Sequence, residues 1–452
     1  MTIPADNARR PGLRQAFRSL ESPEYRPWFF AQVFSASGTM TQGVALSWLV
    51  LRLTGSGVDL GLMTACTFGP LLFLGPYSGT LVDRFDRRRL LIVTQTLLLL
   101  LAGLTAVLIA TGVITLWMLF AIAIVTGCVN APDGTARQVY VVDLVGTQRL
   151  ASAVSLYEVV LNISRVVGPG VGGALLATVG VAACCALNAA SYLQPLFVLL
   201  RHRPRHAAAA TAAPAARKAP PGQLRAGLRY AWRNRPVRVS LFLAASSGML
   251  FNMSVTLPLL ATRVFHLGGG GYGLMMAVFG IGALPGALLA SAGSGRPTGR
   301  SVGVLALGTA VAVLGTAVAP ALWLVMVGMA VTGCLSIWFI AQANTLVQLD
   351  SDPAMRGRVM GLWTMALPGT EPATSPFAGY MSQTFGAREG FSLSGLALLL
   401  TVTIGWRALN DRPVPASDAP ADTVPADTVP ADTAPAAAVP AAAVSAESAG
   451  PR

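Results

Sequence analysis

The chain has 452 residues, of which 54% are hydrophobic and only 11% charged, and its mean hydropathy is +0.61. That balance excludes a soluble globular protein of this size and matches proteins that cross a bilayer many times. The formal net charge of +13 is not a nucleic-acid footprint: the arginines fall in short connectors between apolar runs and form no basic face with interleaved aromatics, so no nucleic-acid partner is expected.

The first stretch, 1–26, is polar and basic without an apolar core, which does not fit a cleaved signal peptide. A spanning helix needs roughly 20 mostly apolar residues. That ruler predicts helices over 27–51, 58–82, 89–112, 115–137, 151–176, 180–200, 238–262, 270–292, 302–318, 320–348, 358–383 and 389–408. The predicted class is therefore an all-α membrane protein of twelve transmembrane helices. Its parts are an N-terminal cytoplasmic segment (1–26), a six-helix bundle (27–201), a cytoplasmic linker (202–237), a second six-helix bundle (238–410) and a tail (411–452). Of the 32 Lys and Arg, only Arg52, Arg263 and Arg388 fall on the far side and Arg165 within a helix. The positive-inside rule therefore predicts both termini in the cytoplasm.

Between the second and third predicted helices, Asp83-Arg84-Phe85-Asp86-Arg87-Arg88-Arg89 packs six charges into seven residues. Such a cluster cannot lie in hydrocarbon and predicts a tight cytoplasmic turn. Near the cytoplasmic end of helix four, Asp133 and Arg137 are four residues apart and suit a pair within the helix. Helix five carries Glu158, Asn162 and Arg165 on one face. Glu158 and Arg165 are about 10 Å apart along the axis, and Arg165 lies roughly 20 Å from the start of the helix. A charge at that depth is costly and faces a bundle interior. A structural ion pair, a snorkelling arginine and a place in a transport path all remain open. The same helix contains Gly168-Pro169-Gly170-Val171-Gly172-Gly173, which predicts a bend and close packing. Gly282, Gly286 and Ala290 of helix eight offer a partner at four-residue spacing.

The linker opens with an Ala/Pro-rich flexible part, 207–221. Residues 223–233 then alternate arginines with Leu, Tyr and Trp, predicting a helix on the inner bilayer surface. Glu371 of helix eleven is as deep as Arg165 and is followed by Pro372. It either pairs with Arg165 or acts as an independent proton site. The tail is Pro, Ala, Asp and Thr, cannot bury apolar surface, and is expected to stay disordered. The five cysteines lie inside apolar runs without metal-ligand spacing and read as small buried hydrophobes, and the three histidines all lie in connectors.

The halves align at an offset of 207 residues. Asp143 then falls on Asp350, Arg149 on Arg356, Pro169 on Pro376 and Gly172 on Gly379. Gly79 falls on Gly286 and Arg89 on Arg296, while Asp83 meets Ala290. A six-plus-six count with parallel repeats and a long linker is the architecture of major facilitator transporters.

The turn resembles the signature of that superfamily, in which a Gly, an Asp four residues on, a basic residue, a second Gly and a basic run join helices two and three. Gly79, Asp83, Arg84, Arg87 and Arg88 match, and Asp86 stands where the second Gly is usual. Three further stretches, 48–56, Pro132 with Ala136-Arg137, and Arg356-Gly357-Arg358-Val359, resemble the branch of enterobactin exporters and macrolide-efflux pumps. The resemblance covers about residues 20–410. It implies a conformational switch at Gly79, Asp83, Arg84, Arg87 and Arg88, with Asp83 meeting the start of helix eleven in the outward-open state. It also implies a cytoplasmic latch at Asp143, Arg149, Asp350 and Arg356, and an exporter-type motif at Gly168, Pro169, Gly172 and Gly173, whose upstream small positions are Ser155 and Ser164. The superfamily places helices one, four, seven and ten around a central cavity. Its candidate lining is Gln32, Thr39, Gln42, Asn130, Asn252, Trp338, Gln342 and Asn344. Helix four departs from the drug-antiporter pattern, with Ala123 where an arginine is expected before Gly127.

The expected function is a monomeric secondary transporter, a proton-coupled exporter of a hydrophobic or amphipathic small molecule of drug, macrolide or siderophore class. It would work by rocking one half on the other, with Asp133, Arg137, Glu158, Asn162, Arg165 and Glu371 as coupling or path candidates. The alternatives are an importer and a non-transporting receptor on the same fold. No P-loop, HExxH or Gly-x-Ser-x-Gly pattern is present, so neither ATP-driven transport nor a membrane enzyme is expected, and no cofactor or metal is implied.

Overall fold

The computed structural model describes residues 18–146, 149–202, 229–292, 297–352, 355–366 and 368–410. The first half is built from α1 (Tyr25–Thr54), α2 (Gly57–Arg84), α3 (Arg87–Ala110), α4 (Leu116–Val145), α5 (Leu150–Thr178) and α6 (Val181–Arg201). The second half is α7 (Arg235–Gly248, then Met253–Arg263), α8 (Gly269–Ala292), α9 (Gly299–Val318), α10 (Leu322–Asp350), α11 (Arg356–Ala366, then Glu371–Thr384) and α12 (Ala387–Asn410). A helix or a broken helix occupies each of the twelve predicted stretches. Among the described residues nine are long and apolar enough to cross a membrane, ten with the bent α7 taken as one span, and no strand occurs.

Local chemistry sets the helix ends. Gly55 takes a left-handed φ of 64° and donates its N–H to Leu51, closing α1 with the conformation that glycine adopts without cost. Ser56 caps α2 by accepting from the Asp59 N–H at 3.2 Å. Asp86 caps α3, accepting from the Arg89 N–H at 2.8 Å. Its φ of −58° needs no glycine, which explains why an Asp serves where the superfamily usually has one.

Two features depart from the sequence reading. Helix four continues to Val145 instead of ending near 137, because Tyr140 and Leu144 prolong its buried face until Gly146, with φ of 70°, stops it. Asp143 is thus helical and not part of a connector. Helices seven and eleven are each interrupted by a 3-10 turn, Met249–Asn252 and Pro368–Thr370. In α7 the two segments meet at 41°. In α11 the cause is legible: Pro368, Pro372 and Pro376 each remove a backbone donor and crowd the preceding turn.

The two halves pack alike. In the first, α1 packs on α5 and α6, α2 on α4, and α3 on α6; in the second, α8 packs on α10 and α9 on α12. Between halves the contacts run through α2 with α11 and α5 with α8. One apolar core unites Val44, Val50 and Leu60 of the first half with Leu257, Leu260 and Tyr272 of the second. A separate core, Trp28, Leu91, Tyr140, Leu156 and Leu199, lies in the first half alone, near the end that carries the termini. The halves are therefore joined at the far end, away from the termini. Outward-facing apolar side chains such as Phe73, Phe197 and Ile404 remain exposed, as a lipid-facing surface requires.

Of the predicted surface helix, only 229–233 is described, and it is helical. Trp232 there stacks edge-on against Phe242 at 6.2 Å, with the Arg238 guanidinium 5.7 Å from its ring. The remainder of that helix, the Ala/Pro-rich part of the linker, Arg296 and the tail lie outside the described residues, as do residues 1–17.

Candidate functional site

The first half contains a buried polar knot. Asp133, only 1% exposed, accepts from Thr94 Oγ1 at 2.6 Å and Gln95 Nε2 at 2.7 Å. Its second oxygen lies 2.6 Å from Arg137 Nε, and Arg137 also donates to Gln32 Oε1 at 2.8 Å. Two neutral donors and a guanidinium thus converge on one buried carboxylate. Thr94 and Gln95 were not singled out in the sequence, because nothing in the spacing of α3 links them to a residue on α4.

The charged turn is tied down within the first half. Arg87 pairs with Asp143 at 2.8 Å. Arg88 donates to the Leu199 and Leu200 carbonyls at the end of α6, at 2.7 and 3.1 Å. The expected latch residue Asp143 is thus bound to the charged turn. Arg149 is partly buried at the start of α5, where its carbonyl accepts from Ser19 Oγ at 2.9 Å. Asp350 ends α10, and Arg356 is exposed at the start of α11. Asp83 and Arg84 are exposed and make no hydrogen bond or ion pair among the described residues, and Gly79 has open space beside it. The contact of Asp83 with the start of α11 is not made in this conformation.

On α5, Arg165 donates to Asn162 Oδ1 at 3.4 Å, and Asn162 donates to the Glu158 carbonyl at 2.9 Å. The three do share a face, with Glu158 exposed and the other two partly buried. Gly168 and Gly172 let α5 approach α1 at Ser37 and Thr41, and Thr41 Oγ1 donates to the Gly168 carbonyl at 2.9 Å. Gly173 meets Gly273 of α8. The partner expected from the sequence is corrected here. Gly282 and Gly286 of α8 lie against Ala330 and Cys334 of α10, whereas Gly273 and Gly280 face α5. Positions 280 and 282 are about 200° apart around a helix, so they serve opposite neighbours. Gly280 sits on the Arg165 carbonyl, the one that Pro169 leaves without its helical donor.

In the second half the two helix breaks meet. Asn252, at the end of the break in α7, donates to Thr374 Oγ1 at 3.1 Å and accepts from Ser375 Oγ at 2.6 Å. Both partners follow the break in α11. Glu371 opens the second segment of α11 and is 7% exposed. Among the described residues it has neither hydrogen bond nor ion pair, so it is not joined to Arg165. Of the buried carboxylates described, Asp133 and Asp143 are both paired.

The cavity candidates divide. Gln42 accepts from Asn188 at 2.6 Å, tying α1 to α6, and Thr39 bonds to Tyr192 at 3.2 Å. Asn252 is held by α11 as above, and Asn344 accepts from Gln348 on its own helix at 2.9 Å. Asn130, Trp338 and Gln342 are partly buried and make no hydrogen bond among the described residues.

Comparison with known proteins gives a consistent result. The profile of a family described as transmembrane secretion effector matches residues 15–438. The multidrug efflux pump Tap of Mycobacterium tuberculosis is 29% identical over 401 residues, covering 84% of this chain and 91% of that protein. The enterobactin exporter EntS of Citrobacter koseri is 27% identical over 407 residues, covering 88% and 95%. Among solved structures, a bacterial homologue of the lysosomal transporter Spinster, inward-facing and unoccupied, superposes with a TM-score of 0.68 at 14% identity, covering 87% of this chain and 99% of that one.

Proposed function

The chain belongs to the transmembrane secretion effector family of major facilitator transporters, and from that premise we propose that it exports hydrophobic or amphipathic small molecules, of drug, macrolide or siderophore class, in exchange for protons. The names of the Tap and EntS relatives support export and this substrate class. The arginine bias supports a cytoplasmic location for both termini. The far end, where the halves are joined, is then the outside, and the conformation is inward-facing. The halves, 27–201 and 238–410, rock about their α2–α11 and α5–α8 contacts. The cavity candidates Asn130, Trp338 and Gln342 meet the substrate.

The observation that carries proton coupling is the contrast between buried carboxylates. Asp133 accepts from Thr94 and Gln95 and is paired with Arg137, so it holds the first half together. Glu371 is buried without a described partner, beside the break in α11. An ionisable group at such a depth is costly, and one without a described partner marks a candidate proton path. Glu371 takes a proton in the outward-facing state and releases it inward as substrate is loaded. A monomer suffices for this cycle.

The test is efflux from proteoliposomes under an imposed pH gradient, with a lipophilic fluorescent cation and a catecholate siderophore as probes. Extrusion that collapses with an uncoupler is expected. The Glu371→Gln protein is expected to bind probe but to lose the response to the gradient. Extrusion by Glu371→Gln that still follows the gradient would remove Glu371 as the coupling residue.

A further inference from the structure

At the far end, a side chain of the second half caps a helix of the first. The Gln383 carbonyl oxygen, near the end of α11, accepts from Ser56 Oγ at 3.1 Å, from the Gly57 N–H at 3.1 Å and, more distantly, from the Val58 N–H at 3.5 Å. These groups form the N-terminus of α2, whose first N–H groups have no partner inside the helix. Close by, Arg263 at the end of α7 donates to the Gly55 carbonyl at 2.8 Å. Behind this pair of bonds the backbones touch: Gly379 lies on the Gly57 carbonyl, and Gly61 on Ser375 and Pro376. Ser375, Gly379 and Gln383 recur every four residues and so form one stripe facing Gly57 and Gly61.

We propose that Gln383 and Arg263 form a far-end latch that holds this conformation and must open in every transport cycle. The geometry argues for a latch and against a permanent tie. Each bond joins the two halves, and none lies within one half. Gln383, Arg263 and Gly55 are all exposed, so water can replace each bond as the halves part, and the net strength stays modest. The buried Asp133 knot, which lies wholly in the first half, is built in the opposite way. The opposite end of α2 supplies the complement: Asp83 is exposed and unengaged in the same structure. Helix α2 thus has its N-terminus latched to α11 while Asp83, near its C-terminus, makes no hydrogen bond or ion pair among the described residues.

The inference rests on the transporter reading, but its test reads conformation and not transport. In a chain whose five native cysteines are replaced by alanine, spin labels go on Val113→Cys and Val318→Cys. These exposed positions lie at the far end of opposite halves. Distances are then measured in nanodiscs. Gln383→Leu is expected to raise the ratio of long to short distances by about five- to tenfold, the value of one exposed hydrogen bond or somewhat more. Gln383→Glu keeps the acceptor and adds a negative charge at a helix N-terminus, so it is expected to lower that ratio by about two- to fivefold. Arg263→Gln should act in the direction of Gln383→Leu. Opposite shifts from the two Gln383 variants cannot come from general loss of folding. Unchanged distances in both, or shifts of the same sign, would overturn the latch. Failure of efflux in a protein whose distances respond would instead count against the exporter reading alone.

Discussion

At the scale of single residues, the roles of the two buried carboxylates Asp133 and Glu371 are separable by experiment. Asp133→Asn removes the partner of a buried guanidinium and is expected to cost about 3–5 kcal/mol, read as a lower thermal midpoint in detergent. Adding Arg137→Gln should recover part of that loss, because the stranded charge disappears with it. Glu371→Gln should leave the midpoint nearly unchanged, since no described bond is lost. The pairing of Asp133 with Arg137 was legible in the sequence, because a separation of four residues on one helix fixes two side chains on one face. Its completion by Thr94 and Gln95 on Asp133 and by Gln32 on Arg137 was not, because those residues reach the pair from other helices. Gln383 was invisible for the same reason. An exposed glutamine near a helix end acquires meaning only when the start of another helix is brought to it.

At the scale of elements, α8 shows how composition gives the existence of close packing but not its partner. Its glycines announce backbone contact, yet Gly286 meets α10 inside the second half while Gly280 meets α5 of the first. The two sites should therefore fail differently. Gly286→Leu overpacks a fixed contact and is expected to destabilise the protein by about 1–3 kcal/mol, measured by thermal unfolding. Gly280→Leu strikes a contact that the transport cycle itself must alter. It is expected to lose less stability and to lengthen the far-end distance, because parting the halves relieves the clash. The broken helices teach a related lesson. Three prolines at four-residue spacing marked α11 for interruption, yet a hydropathy window registers only apolarity and reads across them. The break in α7 carries a weaker mark, Ser246-Ser247-Gly248, and is stabilised by bonds from Asn252 to α11 that no local pattern announces.

At the scale of the whole molecule, a transporter of this kind needs two conformations of similar free energy, so each latch at one end requires a counterweight at the other. The repeat made the two halves legible and the arginine-rich turn made the tight connection between α2 and α3 legible, since both are written as spacing along the chain. The counterweight was not, since it depends on which ends of α2 and α11 meet. The ends of α2 at Gly57 and Asp83 are about 39 Å apart, far enough for changes at them to add. Asp83→Asn should weaken only the outward-facing state, in which the resemblance to the superfamily places its contact with α11. It is therefore expected to shorten the mean far-end distance without changing the stability of the inward-facing form. Combined with Gln383→Leu, it should return the distance distribution toward that of the unmodified chain, with the two opposed shifts adding to within about 0.5 kcal/mol. A double variant that stays as open as Gln383→Leu alone would mean that Asp83 makes no contact in the outward-facing state, and the balance would have to be sought at the α5–α8 contact instead.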